Sequence, residues 1–355
     1  MSTKDGFSLV QSGVNQSVSF RHLMKLTDSR GILEHANHTV PRFSHGYCSD
    51  DNARLLVVAA RTEGISSGSQ ALAHTAMRFL LDAQHPDGSI HNRMSFARVW
   101  TDSPSTNDCW GRAMWGFGSA FGQKHDEQIQ NRGLQAFERS AQQTSPWLRS
   151  NCFAALGAAE VLSMDPNNQV AINLLRNTAL SIPKFALPLS PSMTNTAPMP
   201  WIWPERKLSY ANGIIPEVLI ASGQYLQNDD DLQRGLLLLD WLVATETHDG
   251  HLSVSPTCGR RFGDPKPFFD QQPIEVAAIA DACWRAASVT KNPKWLKDFS
   301  SCIDWFHGAN DIGSPMVDYE SHGGFDGLTE NGVNLNQGAE STLAMLATLQ
   351  ERQIL

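Results

Sequence analysis

The chain has little charge: only 18% of its 355 residues are Asp, Glu, Lys or Arg, and 28 basic residues stand against 36 acidic ones. No run of Lys or Arg occurs, which excludes a face that binds nucleic acid by releasing counterions from phosphates. No stretch approaches ~20 consecutive apolar residues, so no membrane span is expected. The N-terminal stretch MSTKDGFSLVQSGVNQ lacks a basic segment followed by an apolar one, and no secretory signal is read there. The six cysteines (48, 109, 152, 258, 283 and 302) show no CxxC pair and no ligand-like spacing. A chain of this length buries enough core to do without disulfides. Reduced, mostly buried thiols in a cytoplasmic protein are expected. HxH and HExxH are absent, and no phosphate-cradling glycine loop follows a strand. No metal and no cofactor is expected.

What is present is a globular composition, 41% hydrophobic with 26 glycines and 18 prolines spread along the chain. The hydrophobic residues fall into two alternating helical classes. Stretches near 16–26, 70–84, 127–142, 167–183, 229–246 and 293–307 carry one apolar stripe each. Examples are Leu72, Ala76, Phe79, Leu80 and Ala83 in one, and Leu232, Leu236, Leu239 and Val243 in another. That is the period of a helix with water on one side. Stretches near 51–63, 107–121, 150–163, 212–226, 273–288 and 337–350 are rich in Ala, Gly, Leu and Met all the way round, as helices buried on every side are. Each opens with polar residues suited to an N-cap: Ser49-Asp50, Thr106-Asn107, Ser150-Asn151, Asn212, Asp270, and Asn334 or Asn336. Asp-Gly turns are expected at 87–88, 249–250 and 326–327. Six helices of each class predict an all-α (α/α)6 toroid as one domain over 1–355, with an inner ring, an outer ring and long loops at the inner helices' starts. An open tetratricopeptide or HEAT array would have shorter repeats and regular turns.

Four strings then support a family comparison: His45-Gly-Tyr-Cys-Ser-Asp-Asp-Asn-Ala-Arg54, Trp203-Pro-Glu-Arg-Lys-Leu-Ser-Tyr-Ala-Asn212, Asp270-Gln-Gln-Pro-Ile-Glu275 and Asn334-Leu-Asn-Gln-Gly-Ala-Glu-Ser-Thr342. The chain resembles the six-hairpin (α/α)6-toroid glycosidase superfamily, and within it a bacterial group sometimes encoded with or fused to glycosyltransferases. The resemblance implies an oligosaccharide or polysaccharide substrate and a glycosyltransferase as a candidate partner. It also implies an acid where this chain has Ala211, so either the acid has been lost or it was replaced to trap a substrate.

The inner helices' N-termini converge on one mouth, with their positive dipole ends aimed inward. Asp51 and Asp108 lie there as caps or catalysts. Asp50 with Arg54 and Asp108 with Arg112 are also i,i+4 pairs. Glu275 and Glu340 lie about one turn into apolar helices, where burial raises a carboxyl pKa toward that of a general acid. The alternative for each is a capping box with Gln272 or Gln337. Asp108 and Glu275 come from opposite helices, ~16–20 Å apart at the axes. Their side chains can leave the ~6.5–9.5 Å of an inverting pair, whereas Asp51 and Glu340 come from neighbouring helices and suit the ~5–5.5 Å of a retaining pair. Trp110, Trp201 and Trp203 are candidates for stacking on sugar rings, the last two in a long loop at 188–209. His45, Tyr47, Asp50, Arg54, Arg112, Glu205, Arg206, Tyr210, Gln271, Gln272 and Asn336 are the other groups expected at the mouth. Glycosidic-bond cleavage is the leading expectation. An epimerase using His45, His91, His248 or His251, a lyase using Tyr47, Tyr210 and Arg54, and a glycan-binding scaffold remain alternatives.

Overall fold

The computed structural model describes residues 19–62, 67–184 and 200–350. Parts of three expected segments (16–18, 63 and 188–199) lie outside them. Among the described residues the chain forms twelve helices. They are α1 (Arg21–Leu26), α2 (Ser49–Ala60), α3 (Ser67–Ala83), α4 (Asp108–Gly122), α5 (Glu127–Ser140) and α6 (Leu148–Met164), followed by α7 (Gln169–Ser181), α8 (Ile214–Leu226), α9 (Asp229–Thr245), α10 (Pro273–Thr290), α11 (Pro293–Phe306) and α12 (Ala339–Leu349).

The even-numbered helices form the inner ring: α2 packs on α4, α4 on α6, α6 on α8, α8 on α10, α10 on α12, and α12 returns to α2. Each odd-numbered helix from α3 onward lies outside the inner helix before it, and α1 packs on α12. The architecture is the (α/α)6 toroid. Small residues set the inner spacing, since a Cβ on Gly118 would collide with the carbonyl of Gly157, and one on Gly157 with that of Met114. The outer helix α3 buries Leu72, Ala76, Phe79, Leu80 and Ala83 as its stripe predicts. In α9 Leu239 is buried as its stripe predicts, but the buried face is turned: Gly235, Leu238 and Leu242 are also inside, and Leu232, Leu236 and Val243 only half-buried. That face also buries the Asp231–Arg234 ion pair (3.0 Å), and Gly235 lies against Ile220.

Connections from inner to outer helices are short, as at 227–228 and 291–292, while those from outer to inner are long, as at 84–107, 246–272 and 307–338. The long loops gather at the inner helices' N-terminal ends and carry two-stranded hairpins. Asp249-Gly250 makes the tight turn of one, with both residues at positive φ (46° and 84°). Asp326-Gly327 does not turn; Gly327–Thr329 pairs with Gly332–Asn334, and Glu330-Asn331 form the bend.

Of the N-caps expected for the inner helices, Asn107 holds its position, without a side-chain cap bond, and the others are displaced. The outer helices α5, α7, α9 and α11 are capped by Asp126, Asn168, Asn228 and Asn292. The inner helices instead start after Cys48, Asn107, Trp147, Gly213, Gln272 and Gly338, and of these only Cys48 caps through its side chain. Polar side chains at the inner ends are engaged with other loops, because six helix starts and five long loops meet there.

Candidate active site

At the centre of the mouth, α2 and α12 bring Asp51, Arg54 and Glu340 together. Arg54 Nη1 lies 2.6 Å from Asp51 Oδ1, and its Nη2 lies 2.5 Å from Glu340 Oε2. Asp51 is 2% exposed, and the Cys48 thiol donates to its Oδ2 at 3.0 Å. Burial pushes the Asp51 carboxyl up to about 6; Arg54 opposes the shift and Glu340 adds to it. Glu340 is more open, with 40% of its side chain exposed. The expected Asp50–Arg54 pair does not form, because Asp50 turns to α4. Its Oδ1 sits 3.3 Å from Arg112 Nε, off the line of a hydrogen bond, and its Oδ2 accepts from Asn92 at 3.0 Å. Arg112 also faces Asp108 at 3.8 Å and stacks over Phe153 at 4.0 Å. Tyr210 hydrogen-bonds Asp108, and burial together with that carboxylate raises its phenol pKa. Two guanidiniums thus hold four carboxylates.

Below the mouth a cavity of about 50 Å³ runs down the ring axis. Val57, Ile214, Ala278 and Leu343 wall it, with Arg54 and Arg112 above and Arg61 and Asp281 toward the base. Arg54 Nε, Arg112 Nε and the indole N–H of Trp115, which also lines the cavity, are buried without protein acceptors.

The structure separates Glu275 from this constellation. Its carboxylate accepts from the backbone N–H of Ala211 and Asn212 and from Asn212 Nδ2 (2.8 Å). Burial raises it to about 7 against those donors. Glu275 therefore holds the chain before α8. Neither capping box forms. Gln337 bonds Asp318 and Ser321, Glu340 bonds Arg54, and Gln272 caps nothing through its side chain.

Three expected stacking or binding groups are buried structural residues. Trp110 is 0% exposed and donates to the Ser140 carbonyl; Tyr47 is 1% exposed and donates to Asp28; Trp203 is 4% exposed and stacks on Trp241. Large aromatic rings at a crowded loop junction bury ~150–250 Å² each, and the core takes them first. Ala211 borders the axial cavity at φ 47°. Trp201 and Glu205 stand outside the mouth, and Asn336 accepts from the His38 N–H at 3.0 Å. His45 is exposed on the rim, where its ring nitrogen meets that of His35 at 3.1 Å.

Sequence reasoning missed Glu34, Arg93 and Arg149. Glu34 and Arg93 pair beside Cys48, and Arg149 joins Glu205 (2.7 Å) to Asn212 (3.0 Å). Glu34 lies in a loop and Arg93 in a two-residue strand, neither with periodicity, and Arg149 in the first turn of α6, one residue ahead of where the pattern starts that helix. Glu34, Cys48 and Asp51 have ligand atoms within 4.8 Å of one another. They are poor metal ligands as they stand: Arg93 and Arg54 already neutralise the acids, and burial keeps the thiol protonated.

No helix among the described residues is long and apolar enough to cross a membrane. No protein-family model and no curated protein matches the chain. Solved structures do. A sugar epimerase from a ruminal bacterium is 13% identical, with 94% of this chain and 96% of that one covered and a TM-score of 0.66. Cellobiose 2-epimerase from Bacillus thermoamylovorans is 10% identical over 94% and 95%, with a TM-score of 0.65. A glycoside hydrolase family 76 α-mannanase from Bacteroides thetaiotaomicron is 11% identical over 85% and 84%, with a TM-score of 0.54. At these identities the likeness shows the fold alone, and that fold is the (α/α)6 toroid.

Proposed function

We propose that the chain acts on a carbohydrate at the ring mouth and cleaves a glycosidic bond, with Glu340 as nucleophile and Asp51 as acid and base. The observation that carries this reading is the single Arg54 guanidinium between the two carboxyl groups. Sharing one planar fork favours the ~5–5.5 Å separation of a retaining pair over the wider gap of an inverting one. In the first step the more exposed Glu340 attacks the anomeric carbon as the bond to the leaving oxygen breaks, and Asp51 gives that oxygen its proton. In the second, Asp51 takes a proton from water, whose oxygen displaces Glu340 with net retention. A carboxyl group titrating at about 6 is matched to both halves. Asp50, Asp108, Arg112 and Tyr210 stand beside the pair and suit hydroxyl recognition.

Epimerisation or isomerisation of a reducing-end sugar is the second reading. It is favoured by neighbours described as a sugar epimerase, a cellobiose 2-epimerase and a D-mannose isomerase. Within this chain it finds a buried-acid partner for a histidine: His251 Nε2 lies 2.9 Å from Asp311, whose other oxygen accepts from Gln271 at 2.6 Å. Against it, no histidine of the described residues borders the axial cavity.

Incubation with oligosaccharides, read by mass spectrometry and NMR, separates the two. New reducing ends formed first in the retained configuration support cleavage, and an isomer of unchanged mass supports epimerisation. Binding without turnover of any sugar would overturn both in favour of a glycan-binding scaffold.

A further inference from the structure

A second cleft, of about 490 Å³, opens beside the mouth and is lined by Trp201, Pro204, Glu205, Arg206 and Phe262. Its two aromatic walls come from different loops, one before α8 and one between α9 and α10. Phe262 is 57% exposed and meets Trp201 edge to face, with ring centroids 6.3 Å apart at 79°. The depression is wide open, and Phe262 stands exposed in it where a ligand can meet its ring.

The walls are braced. Trp201 Nε1 donates to the Glu205 carbonyl at 2.9 Å, and the Trp201 ring rests on Trp241, whose own N–H donates to the Pro200 carbonyl at 2.8 Å. The two loops are tied by reciprocal backbone bonds between Leu208 and Arg260 (2.8 and 3.0 Å). A ligand entering the cleft therefore has little of the wall to order. Side-chain contacts link the cleft wall to the mouth. Glu205 bonds Arg149, Arg149 stacks on the Tyr210 ring at 4.9 Å, and Tyr210 bonds Asp108. Arg206, exposed at the cleft, makes no ion pair among the described residues.

We propose that this cleft is a distal sugar subsite, which takes a pyranose unit of a glycan chain whose reacting bond sits at the mouth. Two aromatic surfaces at a corner fit the C–H faces of a pyranose, and the Arg206 guanidinium and the Glu205 carboxylate edge fit its hydroxyl rim. The substrate is then a chain of several units rather than a mono- or disaccharide. This inference rests on the carbohydrate reading above.

The test is a length series of cello- and α-manno-oligosaccharides, from two to six units, with affinity measured by calorimetry and kcat/KM where turnover occurs. The intact protein should favour the longer members of one series. Phe262→Ala should reduce that advantage about three- to tenfold, the worth of one aromatic face, and Phe262→Trp should restore it. Thermal unfolding checks that each variant is folded. Equal affinity for short and long members, or an advantage that Phe262→Ala leaves intact, would overturn the distal subsite and leave the carbohydrate reading standing. Failure of the intact protein to bind any member would overturn both.

Discussion

Arg54 reaches Asp51 with one terminal nitrogen at 2.6 Å and Glu340 with the other at 2.5 Å, and so joins the first inner helix to the last across the point where the ring closes. Removing it leaves two carboxylates side by side, one of them almost fully buried. Arg54→Met should cut turnover at least a hundredfold and lower the melting temperature, since breaking a buried pair costs ~3–5 kcal/mol. Arg54→Lys should fall between, because one ammonium cannot span both acids. Steady-state kinetics and calorimetric melting check both variants, and full activity in Arg54→Met would remove the pair from the chemistry.

Asp51 supplies a pH signature. Its carboxyl is held up to about 6 by burial, so the protonated form needed for leaving-group departure is lost as pH rises through that value. The rate should fall about tenfold per unit above pH 6. Asp51→Asn should abolish this limb and reduce kcat by ~10²–10⁴. A limb unchanged in Asp51→Asn would assign it to another group.

Glu275 should behave as a structural residue. Three N–H donors point at its carboxylate, and a Gln there turns an NH2 toward some of them. Unmet buried hydrogen bonds cost ~1–3 kcal/mol each. Glu275→Gln should lower the melting temperature by several degrees while the folded fraction keeps its kcat. An unchanged melting point with lost kcat would return Glu275 to the chemistry.

Ala211 occupies a left-handed backbone conformation (φ 47°) that Asp and Asn adopt more readily than Ala. Its side chain borders the cavity that Arg54 and Arg112 overlook. Ala211→Asp should therefore fold and place a further acid at the reacting end of the cavity. Hydrolysis of oligosaccharides is expected to rise about tenfold or more, measured as reducing ends released. No gain in a well-folded variant would show that position 211 takes no part.

The base of the ring predicts a pH effect on stability alone. Arg61 grips Asp281 (3.2 Å) and Glu160 (3.2 Å), and Arg285 grips Glu217 (3.0 Å), so three carboxylates share two guanidiniums. Burial raises the Glu217 pKa. The folded state then keeps a proton that the unfolded chain releases near ~4.3. Its stabilising contribution is complete below that pH and is lost as pH rises toward the raised value. Glu217→Gln keeps the acceptor for Arg285 and equalises the charges. Its melting temperature should fall less than the parent's between pH 5 and pH 8. An identical slope in both proteins would place the titration elsewhere.

The ring was legible in the sequence because its signal is local. An outer helix shows one stripe and an inner helix none, and Leu72 to Ala83 or Ile274 to Ala287 betray their class within a few turns. Asp51, Arg54 and Glu340 were legible for the same reason, as polar residues at fixed offsets in apolar helices. Glu275 has the same offset and the opposite fate. Which way a carboxylate turns depends on the donors opposite, and those of Ala211 and Asn212 arrive from 63 residues or more away. Trp110 and Trp203 misled because a tryptophan beside a mouth can bury its ring or present it.

From the chain alone came the repeating helical classes, the closure they imply and the concentration of acids at one end, all consequences of hydrophobic period and of where polar residues interrupt it. Tertiary structure alone decided which acids share Arg54, that Glu275 serves the α8 entry, and that Phe262 and Trp201 flank one cleft. Those outcomes depend on side-chain directions where long loops from different hairpins meet, and no residue spacing encodes them.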